Sequence, residues 1–285
     1  MLLTPTRVTL HWLQVGHCRH PEWITLRGGR WGAAKFPSLS ALIMHPSHGP
    51  ILYDTGYADH FEKETRAFPY KLYRLTTPAA LPAEERLGAQ LAQRGVALDT
   101  IARVFISHLH ADHVAGLRDL PRARFTALRD DVAGNLGRSG MDAVRRGFLP
   151  GLLPPDFRAR LDFADDLPVV DLGARWAPFA RGYDLLGDRS LIGIPLPGHS
   201  PAQLGILLWT EDGPVLLAAD ACWSTRAWQE CRLPSVLARP LFHDWGQYRR
   251  TLAGLHELGT RSPQLRILPS HCETAWASFQ RPLHA

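Results

Sequence analysis

His108-Leu109-His110-Ala111-Asp112-His113 is a dense cluster of metal-binding side chains that follows a strand-like run at residues 101–107. Imidazole and carboxylate groups are ligands suited to Zn, Mn, Fe or Co. Alternate residues of an extended segment point the same way, so His108 and His110 can share one ion. Asp112 and His113 lie just past the strand, where the turning chain can direct them at a second ion. The stretch predicts a metal site with two ions close together.

Three further motifs follow in the chain: Pro197-Gly198-His199-Ser200-Pro201, Ala219-Asp220-Ala221 and Pro269-Ser270-His271. In this order, and over about residues 39 to 272, the four motifs resemble the metallo-β-lactamase superfamily of hydrolases. The resemblance implies two divalent transition-metal ions, with zinc as first choice and Mn, Fe or Co as alternatives. It assigns the first ion to His108, His110 and His199, and the second to Asp112, His113 and His271. Asp220 would bridge both.

Within the superfamily, the Pro-Gly-His-Ser-Pro loop and a hairpin at residues 41–56 that ends in Asp-Thr-Gly are most similar to quorum-quenching N-acyl homoserine lactone lactonases. This resemblance implies an enzyme that opens a lactone or ester. The nucleophile would be a hydroxide bridging the two metals, and one metal would polarise the ester carbonyl. Asp112 or Asp220 would help to shuttle the proton.

Trp223 departs from the lactonase pattern, because those enzymes carry a Tyr three residues after the bridging aspartate. A Tyr there can donate a hydrogen bond to the substrate carbonyl, whereas a Trp has only an indole N–H at a different reach. We therefore expect Trp223 to contact the substrate as a flat apolar wall.

Two alternatives come from other functional classes. A thioesterase similar to glyoxalase II would use the same ions on a thioester. A non-catalytic binding or regulatory protein on the same fold would usually have lost ligands, whereas all seven are present here. An RNA phosphodiesterase would need a basic groove, and the sequence has no sign of one.

Composition is ordinary for a globular protein, with 45% hydrophobic residues in 285. We expect a single domain over residues 1–285. The net charge of +5 is carried by scattered arginines, so no nucleic-acid partner is predicted. The four cysteines form no CxxC pair, Met1 to Arg7 lack a secretory pattern, and no apolar run reaches membrane-spanning length. These features predict a cytoplasmic protein without a membrane partner; a homodimer stays open.

The alternation of strands and helices, with every candidate ligand at a strand end, predicts an α/β protein with two packed sheets and helices outside. This matches the four-layer αβ/βα sandwich that the resemblance implies. We expect a first strand at residues 7–15, an irregular segment at 16–32, an excursion at about 121–190 and a helix capped by Asp244. Apolar residues at 148–157 either line a channel for an acyl chain or bury the excursion.

Two further features of the first half stay open. Asp54 either fixes a ligand histidine or caps backbone N–H groups of its own turn. The aromatic insert at residues 68–73 either shelters the substrate or is a simple packed loop.

Overall fold

The computed structural model describes residues 6–280, so the expectation drawn from Met1 to Arg7 lies mostly outside the described residues. Strands β1 to β13 are Thr9–Pro21, Ala33–His45, Gly49–Tyr53, Ala79–Ala80, Arg103–Phe105, Arg124–Ala127, Leu161–Phe163, Val169–Asp171, Arg181–Asp184, Leu191–Pro195, Leu204–Thr210, Gly213–Ala219 and Arg266–Pro269. Helices α1 to α10 are Glu22–Thr25, Asp59–Glu64, Lys71–Thr76, Leu87–Ala92, Ala111–Val114, Arg129–Asn135, Gly140–Arg145, Thr225–Gln229, Trp245–Arg261 and Glu273–Phe279.

The strands form two mixed sheets. The first has the order β4-β1-β2-β3-β5-β6-β7, and the second has the order β13-β12-β11-β10-β9-β8. The chain is antiparallel through the hairpin of β2 and β3, then parallel from β3 through β5 and β6 to β7. In the second sheet only β12 and β13 are parallel. The parallel pairs matter for function, because their carboxyl ends lie at the same edge of a sheet.

Three apolar clusters show how the layers pack. Adjacent strand residues point to opposite faces, so Leu42 packs under the helices of the first half while Ile43 packs between the sheets. On the second sheet, Ile206 joins the cluster between the sheets, and Leu207 packs against α9. Each sheet therefore carries helices on its outer face. The predicted four-layer αβ/βα sandwich is confirmed.

The first strand is longer than predicted. Pairing with β2 continues past Val15, after a register shift between Gln14 and His17, until Pro21 lies opposite Ala33. A bulge inserts an extra residue and breaks the alternation of apolar and polar residues. The expectation of an irregular segment at 16–32 was therefore wrong for its first third.

The predicted excursion also contains more sheet than expected. Residues 121–190 include β6 and β7 of the first sheet and β8 and β9 of the second, so this segment carries the chain from one sheet to the other. The longest stretch outside the sheets lies between β6 and β7, and it carries α6 and α7. Phe148, Leu149 and Leu152 lie buried in the core of the first half. These side chains bury the segment and do not line a channel.

The capping prediction for α9 is confirmed. The Asp244 carboxylate accepts the backbone N–H of Gln247 at 2.8 Å, and the helix then runs to Arg261. Tyr248, Leu252 and Leu255 form its buried face, at the spacing of a helix that packs one side against a sheet. Across the described part of the chain, no helix combines the length and apolar character needed to cross a bilayer.

Candidate metal centre

The seven candidate ligands lie on loops that follow the carboxyl ends of strands. His108 and His110 follow β5, and the short helix α5 then presents Asp112 and His113. His199 follows β10, Asp220 follows β12 and His271 follows β13. Ala219 has a φ of 44°, which a residue with a side chain rarely adopts, and this bend directs Asp220 out of its strand. The residues come from both sheets, so the centre lies where the two sheets end together.

The predicted ligand sets are brought together as two groups. The metal-binding atoms of His108, His110 and His199 lie within 4.8 Å of one another. Those of Asp112, His113 and His271 satisfy the same limit. These are the two sets that the superfamily resemblance implies.

Asp220 lies between the two groups. Its Oδ1 is 3.1 Å from His271 Nε2 and 3.5 Å from His113 Nε2. Its Oδ2 is 3.2 Å from His199 Nε2, which belongs to the other group. Oδ2 also lies 3.2 Å from His271 Nε2, so one carboxylate reaches both sets, as expected of a bridging ligand.

Several ligand histidines are oriented by contacts behind them. His271 Nδ1 lies 2.8 Å from the carbonyl oxygen of Pro37, so Nδ1 donates and Nε2 is left as a ligand atom. Ser107 Oγ lies 2.9 Å from His108 Nδ1, and His108 Nε2 faces the centre. Such contacts fix both the ring and its tautomer, and they prepare the ligand nitrogen for an ion.

Asp54 orients a candidate ligand histidine, which is one of the two roles that the sequence left open, and the backbone N–H that it accepts belongs to a distant loop and not to its own turn. Its Oδ1 accepts the backbone N–H of Ser107 at 2.7 Å, and its Oδ2 lies 2.8 Å from His113 Nδ1. Asp54 is completely buried and has a φ of 58°, in the left-handed region that Asp tolerates better than most residues. It therefore ties the end of β3 to the loop after β5 and orients a ligand histidine with the same side chain.

The His199 loop is held by the start of α9. The backbone N–H of His243 donates to the His199 carbonyl, and that of Asp244 donates to the Gly198 carbonyl, both at 3.0 Å. Gly198 has a φ of 125°, and a Cβ there would lie 2.2 Å from the backbone nitrogen of Tyr248. Glycine is required, because no other residue combines this conformation with so close an approach.

Unsatisfied polar atoms indicate what the centre holds. Within residues 6–280, the buried atoms that have no hydrogen-bond partner include His108 Nε2, His113 Nε2 and Asp220 Oδ1. Burying a polar atom without a hydrogen-bond partner costs free energy, and three such atoms in one cluster are rare in a protein core that holds no ligand. Nitrogen and oxygen donors in this set fit divalent transition-metal ions.

The electrostatics divide the centre into two halves. Burial, together with neighbouring imidazoles, holds the pKa values of His108 and His110 well below the usual range, so both are neutral and able to bind a metal. Burial alone would also lower the pKa of His271, but Asp220 and Asp112 outweigh it and raise that pKa to about 9. The half with Asp112 therefore favours positive charge.

Another His/Asp group, outside the candidate metal centre, has a different explanation. His45, His48 and Asp188 also lie within metal-binding distance of one another. However, His45 Nδ1 accepts the backbone N–H groups of Ser47 and His48, both at 3.1 Å, and its Nε2 lies 3.1 Å from Asp188. Both ring nitrogens are already used: Nδ1 stabilises the turn between β2 and β3, and Nε2 contacts the loop between β9 and β10.

A cavity of ≈ 190 Å³ opens onto the two groups. Its apolar wall includes Ile24, Phe36, Tyr73, Val144, Trp223 and Leu241. Tyr73 is the last residue of the aromatic insert and belongs to α3, so the insert does contribute to the cavity. The Tyr70 hydroxyl accepts the Gly140 N–H at 3.0 Å. The sequence interpretation missed Ile24, Val144 and Leu241, because single apolar residues at loop or helix positions carry no local signal.

Trp223 lines this cavity, as expected of an apolar wall. Its ring lies 5.0 Å from that of Phe242 and meets His199 edge-on at 5.7 Å. The indole N–H donates to Asp220 Oδ2 at 3.1 Å, a contact that the sequence interpretation did not foresee. The only side-chain donor of Trp223 is thus directed at the carboxylate of Asp220.

Comparison with known sequences gives a consistent picture. Residues 35–258 match the sequence profile of the metallo-beta-lactamase superfamily. The chain is 26% identical to the N-acyl homoserine lactonase AttM of Azorhizobium caulinodans over 282 residues, with 97% of each chain covered. It is 27% identical to the N-acyl homoserine lactonase AiiB of Agrobacterium fabrum over 251 residues, covering 85% of this chain and 82% of that one.

Solved structures agree at the level of the fold. A mutant of Bacillus thuringiensis AiiA, with N-decanoyl-L-homoserine bound at its active site, superposes with a TM-score of 0.72. The two chains are 17% identical, and 99% of each is covered. AidC, a dizinc quorum-quenching lactonase in complex with a product, superposes with a TM-score of 0.61 at 14% identity, covering 95% of this chain and 90% of that one.

Proposed function

This chain belongs to the metallo-beta-lactamase superfamily, and from that premise we propose that it is a dinuclear metal-dependent hydrolase that opens N-acyl homoserine lactones or closely related lactones and esters. The observation that carries this proposal is the position of Asp220 between two groups of ligands, each with three side chains. The relatives AttM and AiiB, named as N-acyl homoserine lactonases, support the choice of substrate.

In this proposal the protein binds two divalent ions, with zinc as first candidate and Mn, Fe or Co as alternatives. One ion would be held by His108, His110 and His199. The other ion would be held by Asp112, His113 and His271. Asp220 would bind both ions. Such ions would supply Lewis acidity toward the ester carbonyl and a hydroxide nucleophile at neutral pH. The protein's own residues would supply orientation, exclusion of water and proton transfer.

Asp112 is the better placed of the two carboxylates to move a proton. It lines the cavity, and its side chain is 13% exposed, whereas that of Asp220 is 5% exposed. Burial opposes ionisation of Asp220, but His271, His113 and His199 outweigh it and hold the pKa of that carboxyl well below its usual range. Asp220 would therefore remain ionised as a ligand. Asp112 would take the proton that is released during attack and pass it to the alkoxide oxygen formed when the ester bond breaks.

The apolar side of the cavity would hold the acyl chain. Phe36, Tyr73 and Trp223 present ring faces or edges to the space beside the ligands. Apolar surface of this kind binds an alkyl group through the hydrophobic effect and excludes bulk water from the centre. Trp223 would form the part of this wall nearest to Asp220.

The proposal predicts two bound metal ions per chain, because seven nitrogen and oxygen ligands exceed what one four- or five-coordinate ion can use. The measurement is metal analysis of purified protein after dialysis. One ion at full occupancy, with Asp112 and His271 uncoordinated in a crystal structure, would contradict the dinuclear assignment.

The substrate class is tested by a pH-indicator screen of lactones, simple esters and thioesters of varied acyl length. We expect acyl homoserine lactones and related lactones to be the best substrates. Hydrolysis of thioesters alone would instead indicate a thioesterase similar to glyoxalase II. Full metal content without turnover of any member would favour a binding protein.

Trp223→Phe should change KM more than kcat. The indole N–H is already donated to Asp220, so its loss does not remove a donor from the substrate carbonyl. We expect kcat to fall by less than about 10-fold at full metal occupancy, with a larger change in KM from the reshaped wall. Loss of an oxyanion donor would instead cost about 10²-fold or more in kcat. Steady-state kinetics with metal analysis distinguishes the two.

A further inference from the structure

A second cavity, of ≈ 260 Å³, adjoins the metal centre on the side away from Phe36 and Tyr73. It shares His110, His199, Arg145, Arg146 and Leu241 with the first cavity, so these residues form the boundary between the two. The second cavity differs in chemistry. Its remaining wall includes Asn135, Ser200 and His243, and no Asp or Glu is among the residues that line it.

We propose that this second cavity is an oxyanion-binding subsite in which Arg145, Arg146 and His243 hold a carboxylate or phosphate group carried by the substrate. The inference rests on the proposed function and selects the related lactones and esters within it. The best substrate would carry an apolar arm on one side of the scissile bond and an anionic group on the other, and an N-acyl homoserine lactone has no such anionic group.

Both arginines are available for an anion. Within residues 6–280, neither Arg145 nor Arg146 has a carboxylate within ion-pair distance, although many other arginines of the chain are paired. Asp142 is close in sequence, but it forms an ion pair with Arg138. Asp244, next to His243, accepts the Gln247 N–H. A guanidinium presents several N–H donors in a plane that matches a carboxylate or a phosphate.

The segment that carries the two arginines, residues 145–147, packs against the candidate metal ligand His110. The backbone N–H of Ala111 donates to the Gly147 carbonyl at 3.0 Å, directly beside His110. Gly147 has a φ of 64°, and a Cβ there would lie 2.9 Å from the His110 ring. The chain at residues 145–147 therefore packs on the metal-binding loop itself. An anion held there would be close to the reacting centre.

The opposite wall is fixed in the same way. His243 is joined to His199 through its backbone N–H, and its Nδ1 lies 2.8 Å from Arg146 Nη1. The guanidinium donates in this contact, so Nδ1 accepts and the imidazole proton is on Nε2, which gives the wall a further donor. Arg146 is thereby held between two segments that each contact a metal ligand. An ordered guanidinium loses less entropy on binding than a free one.

The test uses three γ-lactones whose side arms have the same length and end in a carboxylate, a phosphate monoester or a neutral primary amide. On the metal-loaded wild-type enzyme, at least one anionic lactone should exceed the amide about 10- to 100-fold in kcat/KM, mainly through KM, as expected for hydrogen bonds to a charged group. Whichever of the carboxylate and the phosphate lactone has the higher kcat/KM identifies the anionic group that the subsite prefers. Ratios within threefold of one for both anions would overturn the inference.

Arg145→Gln and Arg146→Gln test which residues are responsible. Each should reduce the ratio of anionic to neutral kcat/KM by about 10-fold or more. Arg158→Gln is the matched control, because Arg158 is exposed and lines neither cavity, and it should keep the wild-type ratio. A ratio that is equal in all three variants would also overturn the inference.

A binding measurement separates this inference from the proposed function. Hexanesulfonate and its neutral analogue hexyl methyl sulfone would be titrated calorimetrically into wild-type and Arg146→Gln protein. If no lactone or ester is hydrolysed, the proposed function fails and this titration decides the subsite. Sulfonate binding that Arg146→Gln weakens 10-fold or more supports the subsite, and a smaller difference or no binding overturns it.

Discussion

Asp220→Ala should reduce kcat by about 10³-fold or more, because it removes the one carboxylate that reaches both groups of ligands. The loss has two parts. Each proposed ion would lose a ligand, and the buried carboxylate that contacts His113, His199 and His271 is also lost. The measurement is kcat on the best lactone from the screen, together with metal analysis of the same sample.

The matched control for Asp220→Ala is Asp188→Ala. Asp188 belongs to the other His/Asp group, where it lies 3.1 Å from His45 Nε2, and it contacts none of the candidate ligands. This variant should keep its metal content and its turnover. Circular dichroism should show both variants folded, since the apolar clusters between the layers do not include either carboxylate. Full metal content and kcat within about 10-fold of wild type for Asp220→Ala would contradict the bridging role.

Asp54→Asn should weaken metal binding about 10- to 100-fold while changing stability little. The physical reason is the tautomer of His113. In the wild type, His113 Nδ1–H donates a hydrogen bond to Asp54 Oδ2, so Nε2 carries no proton and is free to bind an ion. An amide that keeps its oxygen on the Ser107 N–H must present its NH₂ group to Nδ1. His113 then carries its proton on Nε2, where the ion would bind.

Asp54→Ala provides the comparison for Asp54→Asn. It removes both contacts and leaves the Ser107 N–H buried without its acceptor, so it should also lower the free energy of unfolding by about 1–3 kcal/mol. Metal affinity would be measured by competition with a chelator and stability by denaturant titration. An Asn variant that binds metal as tightly as the wild type would show that the tautomer of His113 does not matter.

The sequence predicted best those elements that are encoded by residues close together in the chain. The hairpin expected at residues 41–56 contains the end of β2 and all of β3, since strands that pack on both faces carry consecutive apolar residues that are visible in the sequence. The prediction was weakest at β1, where the bulge before His17 shifts the register. The periodicity of one strand cannot predict a register shift, because the shift is a property of its pairing with the neighbouring strand.

The candidate ligands could be predicted because metal-binding residue types at characteristic spacings are visible directly in the sequence. Asp54 was only half determined: the sequence placed it at the end of a hairpin, but a choice between a cap and a histidine partner required the position of His113, 59 residues later in the chain. The structure shows the contact with His113, together with a hydrogen bond from the Ser107 N–H, which lies outside the turn of Asp54.

The sequence by itself determined the superfamily, the four-layer fold and the order of the ligand motifs, since these depend on local patterns of apolar and metal-binding residues. Only the tertiary structure decided which other side chains surround them. Arg146 and His243 lie 97 residues apart and carry no local signal, yet they form one wall because their segments pack on His110 and His199. Trp223 is directed at Asp220 for a similar reason, through its packing on Phe242. Such contacts depend on how separate loops converge, and no single stretch of the chain encodes that convergence.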